Sequence, residues 1–138
     1  MTHDIQVGSI VETDYNSGTY IGKVIEDRGN YWLIEVNAIL KHPTQGDLHN
    51  PEQAEGEGVV FHERKALAYR EKLNGRKRKT KVYTGEVPSY VDSLKNSFNQ
   101  LKKELEARND AYGNLALEKL ADLDQSFYQK IYDKAGEH

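Results

Sequence analysis

The chain has 138 residues, with 19 Lys and Arg against 22 Asp and Glu and a formal net charge of -3. That length fits one domain, or a small domain with an appendage, able to bury roughly two-thirds of its unfolded surface; its mild negative charge sets up no global field toward nucleic acid or anionic lipid. Cysteine is absent, which excludes disulfides, thiolate catalysis, cysteine-ligated zinc and lipid attachment through sulfur.

The opening residues, MTHDIQVGSIVE, show no basic segment followed by a continuous apolar one, so no secretory leader is expected. No apolar run is long enough to span a bilayer, and the sequence reads as cytoplasmic. GSIVETDY from Gly8 to Tyr15 predicts a strand, NSG a turn, and TYIGKVIED a second strand closed by RGN. YWLIEVNAIL, Tyr31 to Leu40, is the clearest strand: its even positions Trp32, Ile34, Val36, Ala38 and Leu40 are all apolar, as on a fully buried face. VVFHERKALAYREKL predicts two short strands, or one bent at His62 to Lys65. Asn74-Gly75 is a hairpin-turn signal, and RKRKTKVYTGE returns as a further strand. Short strands at such spacing predict a small barrel or a strongly bent sheet.

The period then changes. Ser89 with Asp92 three residues on is a capping pattern. Val91, Leu94, Phe98, Leu101 and Leu105 follow at helical spacing, Asn109-Asp110 interrupts, and Ala116, Leu120, Leu123, Phe127 and Ile131 make a second stripe. Two amphipathic helices with a short link predict an antiparallel helical hairpin. Its stripes must be buried against each other, against the sheet, or in a homodimer.

Between the strands lies HPTQGDLHNPEQAEGEG, His42 to Gly58, longer than the usual connection of about 4–6 residues. His42, His49 and His62 lie around it with Asp47, Glu52 and Glu63, an imidazole–carboxylate set able in principle to bind zinc. The histidine spacings match no metal signature, and the imidazoles are read instead as pinning the loop through backbone hydrogen bonds. Pro43 and Pro51 stiffen its two arms, so it is expected to be an ordered recognition and packing element. A second polar cluster is Arg76, Lys77, Arg78 and Lys79, continued by Lys81 and flanked by Tyr69 and Tyr83. It fits a single-stranded nucleic-acid surface, but also a guarded edge strand or a contact for an acidic protein partner, which the overall charge favours. Gly56-Glu57-Gly58 lacks the Lys-Ser or Lys-Thr of a phosphate cradle, and no nucleophile elbow is present. No catalytic residue, metal or cofactor is expected.

The segments GTYIGKVIE, HPTQGDLHNP, FHERKALAY and GEVPSYVDSL resemble the kinase-associated protein B family of spore-forming bacilli. The likeness runs nearly the full chain and is most specific from Ala38 to Tyr69 and from Gly85 to Tyr90. It implies a bent antiparallel β structure with a helical extension, and a regulatory role supporting a membrane sensor histidine kinase that feeds the sporulation phosphorelay. The family is often called a lipoprotein; this chain has no cysteine to lipidate, so membrane proximity is expected through the kinase.

Together these readings predict an α+β fold, with a small bent antiparallel, SH3-like β-barrel over residues 1–87 and a helical hairpin over 88–138. The expected function is non-enzymatic binding of a sensor histidine kinase through His42, Asp47, His49, His62, Glu63 and Arg64. The alternative is nucleic-acid binding through Arg76, Lys77, Arg78 and Lys79.

Overall fold

The computed structural model describes residues 5–46 and 63–135. Alternation makes β1 (Ile10–Tyr15) a strand, with Val11 and Thr13 pointing inward. Asn16 and Ser17, at φ 44° and 68°, form the two-residue turn whose twist suits a β-hairpin, and β2 (Gly18–Arg28) pairs back along β1. Gly29, at φ 77°, turns the chain into β3 (Tyr31–Lys41). After the long connection come β4 (Lys72–Arg76), a 3-10 turn at Lys77–Lys79, and β5 (Thr80–Val82). The five strands of the described residues are antiparallel in the order β4-β3-β2-β1-β5. This is the small bent antiparallel structure expected, left open between β4 and β5.

Bulges produce the bend. The β2–β3 register slips between Thr19 and Tyr20, Ile21 and Gly22, and Val24 and Glu26, and each extra residue increases local twist. One slip corrects the sequence reading of β3. Trp32, Ile34, Val36 and Ala38 are buried as expected, but Ile39 replaces Leu40, which is 41% exposed. Leu40 is the unpaired residue between the Thr19–Lys41 and Tyr20–Ile39 pairs, so alternation breaks there.

Asn74-Gly75 is also corrected: it lies inside β4, not in a turn. A Cβ on Gly75 would come within 2.8 Å of both Thr13 Oγ1 and Ile34 Cδ1, so this glycine permits β4 to fold close over β1. The reversal occurs at the 3-10 turn, where Thr80 Oγ1 bonds the Arg76 carbonyl at 2.7 Å and Thr13 Oγ1 at 2.8 Å. Of the strands expected from Val59 to Leu73, positions up to His62 lie outside the described residues. Residues 63–71 have no regular structure and β4 begins at Lys72.

Ser89 caps α1 (Tyr90–Arg108), its hydroxyl accepting the Asp92 N–H at 3.1 Å. The helix ends at Asn109, in the left-handed region, and Asp110 caps α2 (Ala111–Leu123) through the Gly113 N–H at 2.8 Å. Helix α1 lies on β3, where the Ser93 hydroxyl accepts the Ile39 N–H at 3.0 Å and donates to the Tyr90 carbonyl. A π-helical turn, Asp124–Tyr128, joins α2 to α3 (Gln129–Ala135). It adds a residue to the turn and changes the second stripe: Tyr128 is fully buried, while Phe127, expected inside, is 41% exposed. Sheet and helix residues share one apolar cluster, from Val11, Ile34 and Val36 to Leu94, Leu120 and Tyr128.

Candidate protein-docking site

The long connection leaves the sheet after Lys41 and rejoins it at Lys72, and its two described stems, residues 42–46 and 63–71, are braced by side chains. Gln45 makes the bracket: its Nε2 donates to the Pro43 and Arg64 carbonyls at 3.1 and 2.9 Å, and its Oε1 accepts the Arg64 N–H at 2.8 Å. Arg64 Nε donates back to the Gly46 carbonyl at 3.2 Å. An amide side chain thus supplies the pairing that a β-ladder would give elsewhere.

Four tyrosines fasten this bracket to the core. Tyr112 donates to the Gln45 carbonyl at 2.8 Å and Tyr90 to the Leu67 carbonyl at 2.6 Å. Tyr20 accepts the Leu67 N–H at 3.3 Å, and Tyr128 accepts the Ala66 N–H at 3.0 Å. The Tyr128 hydroxyl also lies 2.7 Å from His42 Nε2, while His42 Nδ1 is 3.0 Å from the Pro43 carbonyl. A carbonyl only accepts, so Nδ1 carries the imidazole proton and Nε2 accepts a hydrogen bond from the Tyr128 hydroxyl. The His42 ring also meets Phe98 and Tyr128 edge-on, at 5.8 and 5.7 Å between centroids.

Electrostatics agree with a structural brace. Burial pulls the His42 imidazole down to about 4, against an opposing pull from the Pro43 carbonyl, so the ring is neutral at physiological pH. Burial pushes the Tyr20 phenol up to about 12 and those of Tyr90 and Tyr128 still higher. These hydroxyls are hydrogen-bonding groups, not proton-transfer groups.

His42, a candidate contact residue from sequence, is 1% exposed, and its ring atoms are engaged by Pro43 and Tyr128 within the stem. Glu63 is exposed and Arg64 half-buried beside it; Asp47, His49 and His62 lie outside the described residues. Among the described residues no group of three His, Cys, Asp or Glu side chains could hold a metal.

Beyond the returning stem lies a feature that strand and helix patterns did not disclose. Tyr69, Val87, Pro88, Val91 and Ile131 line an open groove of about 720 Å³ between the 68–71 turn, the start of α1 and α3. Tyr69 is 56% exposed, its ring 5.9 Å from that of Tyr90. The Arg70 N–H, donating to the Val36 carbonyl at 2.7 Å, fixes the turn to β3. An apolar groove beside the braced stems of the loop is suited to taking a side chain or short segment of another protein. The count of 9 Tyr against 3 Phe was the one available signal of the brace, since buried tyrosines need partners for their hydroxyls.

The basic residues singled out in the sequence occupy the corner between β4 and β5. Lys77 is committed locally: its ammonium bonds Asp27 at 2.7 Å, holding that carboxyl below its usual range, and lies 4.1 Å from the Trp32 ring centre. Arg76, Arg78 and Lys79 are exposed.

No helix among the described residues is long and apolar enough to cross a membrane. The profile of the family described as "Kinase associated protein B" matches residues 15–128. The chain is 39% identical over 125 residues to "Kinase-associated lipoprotein B" of Bacillus subtilis (strain 168), covering 91% of this chain and 96% of that one. The crystal structure of kinase-associated protein B from Bacillus cereus superposes with a TM-score of 0.75 at 30% identity, covering 90% of this chain and 98% of that one. Sequence and fold agree over nearly the whole length, and the chain belongs to the kinase-associated protein B family.

Proposed function

We propose that this protein is a non-enzymatic accessory protein that binds a sensor histidine kinase and supports its activity in the sporulation phosphorelay. The observation that carries the reading is the braced loop base beside the Tyr69–Val87–Ile131 groove, in a family named for association with a kinase. The contact surface we assign is the loop from His42 to Arg64 together with that groove. The tyrosine brace fixes the described stems of the loop at Gln45, Ala66 and Leu67, limiting the ordering entropy that binding costs at the loop base.

Such a protein biases its kinase only by binding the active state more tightly than the inactive one; a tenfold shift needs about 1.4 kcal/mol of differential affinity. The test is titration of the cytoplasmic part of the kinase with the purified protein, following binding by calorimetry and autophosphorylation in parallel. Saturable binding, a changed autokinase rate, and loss of both in Tyr69→Ser and Glu63→Ala/Arg64→Ala are expected. No binding by protein shown to be folded would overturn the reading.

A further inference from the structure

The bend of the sheet creates a second groove, beside the β1–β2 turn. Strand β3 contributes both its first and last residues, Tyr31 and Lys41, to one cavity of about 750 Å³; Asn16 of the β1–β2 turn, Asn74 and Arg76 of β4, and Lys79 of the corner complete the wall. Its charges are available. Lys77 and Lys81 face Asp27 and Glu12, whereas Lys41, Arg76 and Lys79 make no ion pair among the described residues. The one acid lining it, Asp14, is held by the Thr19 hydroxyl at 2.8 Å.

We propose that this groove binds an extended acidic segment of a partner protein. Three cations around a cleft attract carboxylates, and the amides of Asn16 and Asn74 can both donate to and accept from a peptide backbone. Tyr31, 38% exposed, gives a flat surface for the aliphatic stems of acidic side chains. Against the three cations Asp14 leaves a local excess of two positive charges in a chain of net charge -3, short of the basic surface that the phosphates of a nucleic acid call for, while its carboxylate can accept a peptide N–H. The site borders the kinase-contact surface at Lys41 and at Ser17, whose hydroxyl accepts the Thr44 N–H at 3.0 Å; hexaglutamate binding and kinase binding are measured separately, so either proposal can fail alone.

The experiment is an NMR titration of the 15N-labelled full chain with capped hexaglutamate, with hexaglutamine and a hexathymidine strand as comparisons. Saturable shifts are expected at Asn16, Tyr31, Lys41, Arg76 and Lys79 with hexaglutamate and not with hexaglutamine. Arg76→Glu and Lys79→Glu should each weaken binding roughly fivefold, and Lys102→Glu/Lys103→Glu on α1 should leave it unchanged. No saturable shift, shifts spread equally over the lysines of α1, or tighter binding of the thymidine strand would each overturn the assignment, the last in favour of a nucleic-acid groove.

Discussion

Replacing Tyr128 by Phe removes one oxygen and tests the brace directly. The hydroxyl accepts the Ala66 N–H at 3.0 Å and donates to His42 Nε2 at 2.7 Å. Tyr128, His42 and Ala66 are all buried, so bulk water cannot replace it. Each stranded group costs roughly 1–3 kcal/mol, against which removal of the hydroxyl's own desolvation returns about 1 kcal/mol. The net expectation is a loss of about 3 kcal/mol. For a chain of this length that lowers the melting temperature by about 10 °C, measurable by calorimetry and far-ultraviolet circular dichroism. Tyr15→Phe is the comparison, since the Tyr15 hydroxyl makes no hydrogen bond among the described residues; it should shift stability by less than about 0.5 kcal/mol. If the two variants melt within about 2 °C of each other, the hydroxyl of Tyr128 does not brace the loop and the energetic reasoning is wrong.

Two other predictions follow from single residues. His42 has a folded pKa of about 4 against 6.5 in the unfolded chain; its neutral form is the native one, so its contribution is complete above pH 6.5. That contribution is lost at about 1.4 kcal/mol per pH unit as pH falls toward 4, about 3 kcal/mol in all. Urea unfolding at several pH values should show a correspondingly flatter dependence in His42→Asn, and equal slopes would refute the assignment. In Gly22→Ala the new Cβ would clash with the Glu35 carbonyl oxygen and lie 2.5 Å from Ile34 Cγ2. Since part of that clash is with backbone, a loss of about 3 kcal/mol is expected, and an unchanged urea midpoint would count against the close approach of β2 and β3.

What was legible in the sequence was local and periodic. The alternation of Trp32, Ile34, Val36 and Ala38, the Ser89 cap and the Asn109-Asp110 break each rest on contacts within a few residues, and each is present. The errors arise where one residue is added to a regular repeat. Leu40 is exposed because a bulge interrupts the strand, and Phe127 because a π turn advances the helix by one position, bringing Tyr128 inward. Asn74-Gly75 carries a turn signature but serves close strand packing. The brace was hidden for a different reason: Gln45, Tyr112 and Tyr128 meet across more than sixty positions of chain or through a third residue, and nothing in a single sequence records that pairing. Sequence reasoning read the histidines as pinning the loop through backbone hydrogen bonds; His42 bonds the Pro43 carbonyl at its first stem, and His49 and His62 lie outside the described residues.

The contact between Lys77 and Trp32 gives the molecule a built-in optical reporter. Trp32 is the chain's single tryptophan, buried in the sheet with an ammonium 4.1 Å from its ring centre. A charge so close to an indole biases the energy of its excited state, and this charge sits on the turn that carries Lys79. Anything that draws the corner aside, or recruits Lys77 away from Asp27, therefore changes the colour of the emitted light with no dye attached. The same lysine that ties the corner to Asp27 of β2 makes the state of that corner visible in a cuvette.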